Sequence, residues 1–110
     1  MIYAVTYRYT DDVAGRDALR AEHRDYLRSL ADQGALLVSG PFGPDEPAGA
    51  LLLFRAAARG DVDRWVADDP FSVRGIVAHA TTSEWEPVLG TLLPALTRPS
   101  APRRRCRNAT

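Results

Sequence analysis

The chain predicts an α+β domain of the ferredoxin-like kind, βαββαβ, with an antiparallel sheet carrying two helices on one face. Three observations predict it: a β-branched and aromatic opening segment, one long apolar stripe at helical period, and strand-length apolar runs separated by Gly and Pro.

Residues 2–9 (Ile-Tyr-Ala-Val-Thr-Tyr-Arg-Tyr) suit a pleated surface and read as the first strand, ended by Thr10-Asp11-Asp12. A helix follows over about Arg16 to Gln33. Leu19, His23, Tyr26, Leu27 and Leu30 make one continuous face on it, and Arg16, Arg20, Arg24 and Arg28 make a separate polar stripe at spacing four. Gly34 stands where a left-handed residue closes a helix.

Residues 35–39 (Ala-Leu-Leu-Val-Ser) read as a second strand, stopped by Gly40-Pro41. Gly40 to Gly49 is a loop by its prolines and turn formers. Residues 50–55 (Ala-Leu-Leu-Leu-Phe-Arg) are a nearly unbroken apolar run, which predicts a strand covered on both faces. Asp61 suits the N-cap of a short second helix with Val62, Trp65 and Val66 on its buried side. Pro70 disfavours a helical Asp69, so that helix ends near Asp68. A last strand spans about Arg74 to Trp85, and residues 88–96 are apolar enough to pack as a short helix or arm.

Two helices cover only one face of such a sheet. The apolar run from Ala50 to Phe54 needs cover on the other, and the sheet of a second copy is the simplest cover, so a homodimer is expected. A domain this small buries about 65% of the surface its unfolded chain exposes, and pairing would add to that.

The 110 residues suffice for one domain, expected at 1–97, with 45% hydrophobic and 25% charged residues as in ordinary globular chains. Net charge is zero but uneven: every basic residue is Arg, and five of the 14 follow Leu96. Residues 1–97 therefore hold nine Arg against 14 Asp and Glu, a net of −5. A body of that sign is a poor nucleic-acid binder. The basic segment 98–110 reads as a disordered tail. Cys106 is the only cysteine, which excludes an intrachain disulfide and favours a reducing, cytoplasmic setting. No signal peptide and no membrane-spanning apolar run is expected.

His23 is the residue out of place, because a polar ring on an apolar stripe must find a partner or incur about 1–3 kcal/mol. Asp69 is the candidate partner. It sits at a helix end in Asp68-Asp69-Pro70-Phe71, where the proline and the aromatic ring constrain its direction. Spacing alone does not choose Asp69 over Asp68, and a turn-forming Asp before Pro is also an ordinary use of that position.

The segments His23-Arg24-Asp25-Tyr26-Leu27, Gly34-Ala35-Leu36-Leu37-Val38-Ser39-Gly40-Pro41 and Asp69-Pro70-Phe71, with a late Trp85, together resemble the YciI-like (YCII) family over roughly residues 1–90. The resemblance implies a dimeric α+β barrel made of two ferredoxin-like subunits joined sheet to sheet. It also implies a pocket in each subunit where a His and an Asp lie close, which map onto His23 and Asp69. Ser39 matches a position lining the same pocket, and Gly40, Pro41 and Phe71 complete the expected substrate-binding set. One branch of the family removes chloride from chlorinated hydroxyhydroquinones, so the resemblance implies a class of chemistry and no single substrate.

The expected activity is general acid/base catalysis, of the lyase, isomerase or dehydrochlorinase type, on an oxygenated or aromatic small molecule. Asp69 would orient and stabilise the imidazole of His23, and Ser39 with the amides around Gly40 would hold a substrate oxygen. The alternatives are a non-catalytic ligand-binding or accessory protein of the same fold, and a purely structural pair. No metal is expected, since Asp25 points to another helix face than His23. No cofactor is expected either, because neither a phosphate-binding glycine loop nor a Rossmann fingerprint occurs. His79 reads as a surface or interface residue, Trp65 and Trp85 as core. Expected partners are a small-molecule substrate or ligand and a second copy, with no nucleic acid and no membrane.

Overall fold

The computed structural model describes residues 1–97, and the basic segment from 98 on, with Cys106 and the expected tail, lies outside the described residues. The elements follow in the order β1 (Ile2–Tyr9), α1 (Val13–Asp32), β2 (Leu36–Pro41), β3 (Gly49–Arg55), α2 (Arg59–Asp68), α3 (Pro70–Val73), β4 (Val77–Trp85) and α4 (Leu93–Thr97). The sheet runs β2-β3-β1-β4 with every neighbour antiparallel. This is the α+β, ferredoxin-like arrangement that the order of elements predicts.

Strand alternation sets the core. Tyr3, Val5 and Tyr7 on β1 stand opposite Phe54, Leu52 and Ala50 on β3, and all six are buried. Leu27 and Leu30 of α1 and Val62 of α2 close over them, with Tyr26, Trp65 and Val66 packed at the edge. Aromatic contact adds to this, as Phe54 stacks on Trp65 with ring centroids 5.7 Å apart.

The helix ends show what periodicity misses. α1 begins at Val13, before the expected Arg16, because the Asp12 carboxylate accepts from the Gly15 N–H at 2.9 Å and caps a first turn that carries no apolar stripe. At its far end Gly34 has φ +81°, the left-handed conformation expected there. Asp61 is not the cap of α2. The helix starts at Arg59 from an extended Ala58, and Asp61 lies in its first turn, paired with Arg64 at 2.9 Å. Asp69 is extended (φ −60°, ψ 129°), as Pro70 demands. The turn α3, absent from the sequence reading, and Gly75 at φ +76° then take up the chain, so β4 starts at Val77 instead of Arg74.

The second sheet face carries the other half of each strand. Leu52 and Phe54 are 1% exposed, but Leu51 is 41% exposed, so the run at β3 is covered on one face only within the single chain. Val38 and Trp85 lie on that open face at 58% and 42% exposure, and Trp85 is therefore not core. Beyond β4, Leu89 and Leu92 are exposed, while the Arg55 guanidinium donates to the Leu96 carbonyl of α4. No helix of the described residues is long and apolar enough to cross a membrane.

Candidate active site

His23 projects from the buried face of α1 one turn before Leu27, and the chain between α2 and α3 brings Asp69 beneath it. The His23 Nδ1 lies 2.7 Å from Asp69 Oδ1. Asp69 has no exposed surface, and its other oxygen accepts from the Tyr7 hydroxyl at 2.8 Å. Oδ1 also accepts from the Phe71 N–H at 3.0 Å. A carboxylate surrounded by donors leaves a single role for the facing imidazole nitrogen, so Nδ1 carries the proton and donates to Asp69. Nε2 is then the nitrogen with a free lone pair.

The ring is fixed as well as hydrogen-bonded. It stacks on Phe71 with centroids 3.9 Å apart and planes within 3°. Phe71 in turn meets Tyr9 edge-on at 5.4 Å. Burial, and behind it the charge of Asp69, pushes the Tyr7 phenol far above its ordinary range, which keeps it a donor. The same two causes raise Tyr9 to about 12, against the opposing charges of Arg16, Arg20 and Arg24.

His23 forms part of the wall of an open cavity of about 600 Å³. Ser39, Gly40, Pro41 and Phe71 line the same cavity, whereas Asp69 is buried behind the ring and is not part of the lining. The loop from Phe42 to Ala48 supplies another side of the cavity, and backbone bonds from Phe42 N to Gly49 O and from Glu46 N to Gly43 O, both 3.0 Å, hold its shape. Two residue groups on or behind the lining were not expected there from the sequence. Tyr7 and Tyr9 were legible only as strand residues, although their spacing of two puts them on one face. Arg16, Arg20 and Arg24, legible only as part of a polar stripe, line the cavity. Among the described residues no group of three or more His, Cys, Asp or Glu side chains assembles for a metal.

The chain is similar in structure to the 5-chloro-2-hydroxyhydroquinone dehydrochlorinase of Burkholderia phenoliruptrix in complex with 2,5-dihydroxybenzoquinone (TM-score 0.68, 24% identity, 78% of this chain and 94% of that one). It is also similar to protein Atu4242 of Agrobacterium tumefaciens (TM-score 0.52, 16% identity, 80% and 94% covered). An antibiotic biosynthesis monooxygenase shares the architecture at TM-score 0.51 and 11% identity, with 81% and 100% covered. At these identities the likeness is one of fold. No curated protein matches the chain. The model of the YCII-related domain matches residues 1–86, which span β1 through β4 and hold both His23 and Asp69. The chain belongs to the YCII-related family.

Proposed function

We propose that this protein is an enzyme that moves a proton on a small oxygenated or aromatic molecule, with His23 as acid and base and Asp69 as the carboxylate that orients it. The observation that carries the reading is the 2.7 Å contact between His23 Nδ1 and an Asp69 with no exposed surface, at the wall of a cavity of ligand size. With Nδ1–H committed to Asp69, Nε2 accepts a proton from the substrate. The electron pair left behind either expels a leaving group from the neighbouring atom or shifts along a conjugated system. In the second case the imidazolium returns the proton further along. Asp69 stabilises the charge that the ring carries between those events. Ser39 and the backbone near Gly40 and Pro41 would hold a substrate oxygen, and Phe71 keeps the ring in plane. Positioned proton transfer of this kind supplies about 10²–10⁴-fold in rate. The dehydrochlorinase neighbour supports the class of chemistry without naming this chain's substrate.

The open sheet face supports a homodimer, since Val38, Leu51 and Trp85 present apolar surface there in the single chain. We place the dimer in the cytoplasm, where a lone cysteine is ordinary.

Hydrogen–deuterium exchange tests the reading without a known substrate. Dihydroxybenzenes and enolisable acids are incubated with the protein in heavy water and followed by NMR. The wild type should accelerate exchange on at least one of them, and His23→Ala should not, while keeping its circular dichroism. Saturable binding with no exchange on any compound would instead make this a ligand-binding protein.

A further inference from the structure

Proton transfer by His23 does not explain three arginines in the same cavity. Arg16, Arg20 and Arg24 all line it, one helical turn apart on α1. Arg28, next in the stripe, is turned away and pairs with Asp25 at 2.7 Å. Among the described residues the only acid on the wall is Glu46, which leaves the cavity with an excess of two positive charges before His23 is counted. The rest of the described body has the opposite sign. An acidic body with a basic hollow draws small anions toward that hollow and repels them elsewhere.

Each arginine meets the cavity differently. The Arg16 guanidinium is pinned, lying 5.2 Å from the centroid of the Tyr9 ring and donating to the Thr10 carbonyl at 3.3 Å. Arg20 holds Asp17 at 2.8 Å, but with side chains 40% and 58% exposed this pair is readily exchanged for a ligand. Arg24 has no hydrogen-bond or ion-pair partner among the described residues. The Tyr9 hydroxyl beside them is likewise without a hydrogen-bond partner among the described residues, and it is available as a neutral donor.

We propose that the cavity selects a small molecule bearing an oxyanion, a carboxylate or a phosphate, held by Arg20 and Arg24 with Arg16 and Tyr9 behind them. This rests on the reading of His23 only for where the reacting end lies. A helix rises about 1.5 Å per residue, so Arg20 stands about 4.5 Å before His23 along α1 and Arg24 about 1.5 Å after it, and the two arginines flank the imidazole. The anionic group and the reacting atom would then belong to one small molecule lying along this stretch of α1. Guanidinium suits that task, because its planar fork donates two parallel bonds to a carboxylate or phosphate.

Calorimetric titration of the full chain with hydroquinone, 2,5-dihydroxybenzoate and phenyl phosphate tests the proposal. At least one anion should bind about tenfold or more tightly than hydroquinone, about 1.4 kcal/mol, and should lose that advantage as salt is raised. Which anion wins tells carboxylate from phosphate. Arg24→Gln should weaken the anion about tenfold and leave hydroquinone unchanged, Arg24→Lys should recover part of the loss, and Arg20→Gln should act like Arg24→Gln. Arg24 is exposed, so these variants should keep the fold, which circular dichroism checks. His23→Ala should keep the anion preference even when exchange is abolished, which separates this proposal from the proton-transfer reading. Hydroquinone binding as tightly as both anions, no saturation by either anion, or an unchanged anion affinity in the Arg20→Gln, Arg24→Gln double variant would each overturn it.

Discussion

His23 and Asp69 lie 46 positions apart in the chain and meet through a single 2.7 Å hydrogen bond, with Asp69 enclosed and His23 at the edge of open space. The pair is asymmetric by construction. One member faces the cavity, and the other is anchored to the protein by Tyr7 and by the Phe71 amide. From this asymmetry the effect of changing each partner can be argued separately.

Asp69→Asn keeps the shape but replaces one acceptor oxygen by an NH₂ donor. Three donors then face a single remaining oxygen, and His23 is driven toward the tautomer with its proton on Nε2. Exchange activity should fall about 10²–10⁴-fold with the fold retained. The ¹⁵N shifts of the His23 ring, read by NMR in both proteins, should show the tautomer reversed. An unchanged tautomer would remove the orienting role.

Tyr7→Phe removes one donor and almost no volume from a side chain with 0% exposure. It leaves Asp69 Oδ2 without its hydrogen bond in a sealed site. Loss of a bond to a charged group there should lower stability by about 1.5–3 kcal/mol. Urea denaturation should register the change as a lower midpoint with the slope preserved.

Stability should fall as pH rises past 10, the ordinary phenol value, because burial raises Tyr7 and Tyr9 above it. Below 10 both states keep these protons. Between 10 and about 12 the unfolded chain releases the Tyr9 proton and the folded one does not. Unfolding then gains about 1.4 kcal/mol per pH unit for each such group. Melting curves on either side of pH 10 should show this descent, and Tyr9→Phe should make it shallower.

Leu51→Glu places a charge at the centre of the open sheet face without touching the helix-covered core, where Leu52 next to it is 1% exposed. Sedimentation should find the wild type as a dimer and the variant as a monomer with similar helical content. A wild type that sediments as a monomer would rule out the sheet-to-sheet pairing.

Local readings of the chain succeeded where the physics is local. The buried face of α1, the left-handed Gly34 and the break at Pro70 each depend on a few consecutive residues, and each stands where the pattern places it. The same kind of reading failed at the start of α1 and at α3. Capping by Asp12 or Asp69 needs one side-chain oxygen and leaves no periodic trace.

His23 was conspicuous in the sequence because a polar ring interrupts an apolar stripe, and that much needs only the helical repeat. Its partner was not. Asp68 and Asp69 are adjacent and chemically equal, and only the packing of the turn on α1 leaves the first exposed and encloses the second. Likewise, Arg16, Arg20 and Arg24 form a polar stripe by spacing alone, but they become cavity wall only when β2 and the loop after it stand across from α1. Periodicity assigns side chains to a face because the backbone repeats every few residues. What that face meets is set by contacts between segments dozens of residues apart, and no local repeat records them.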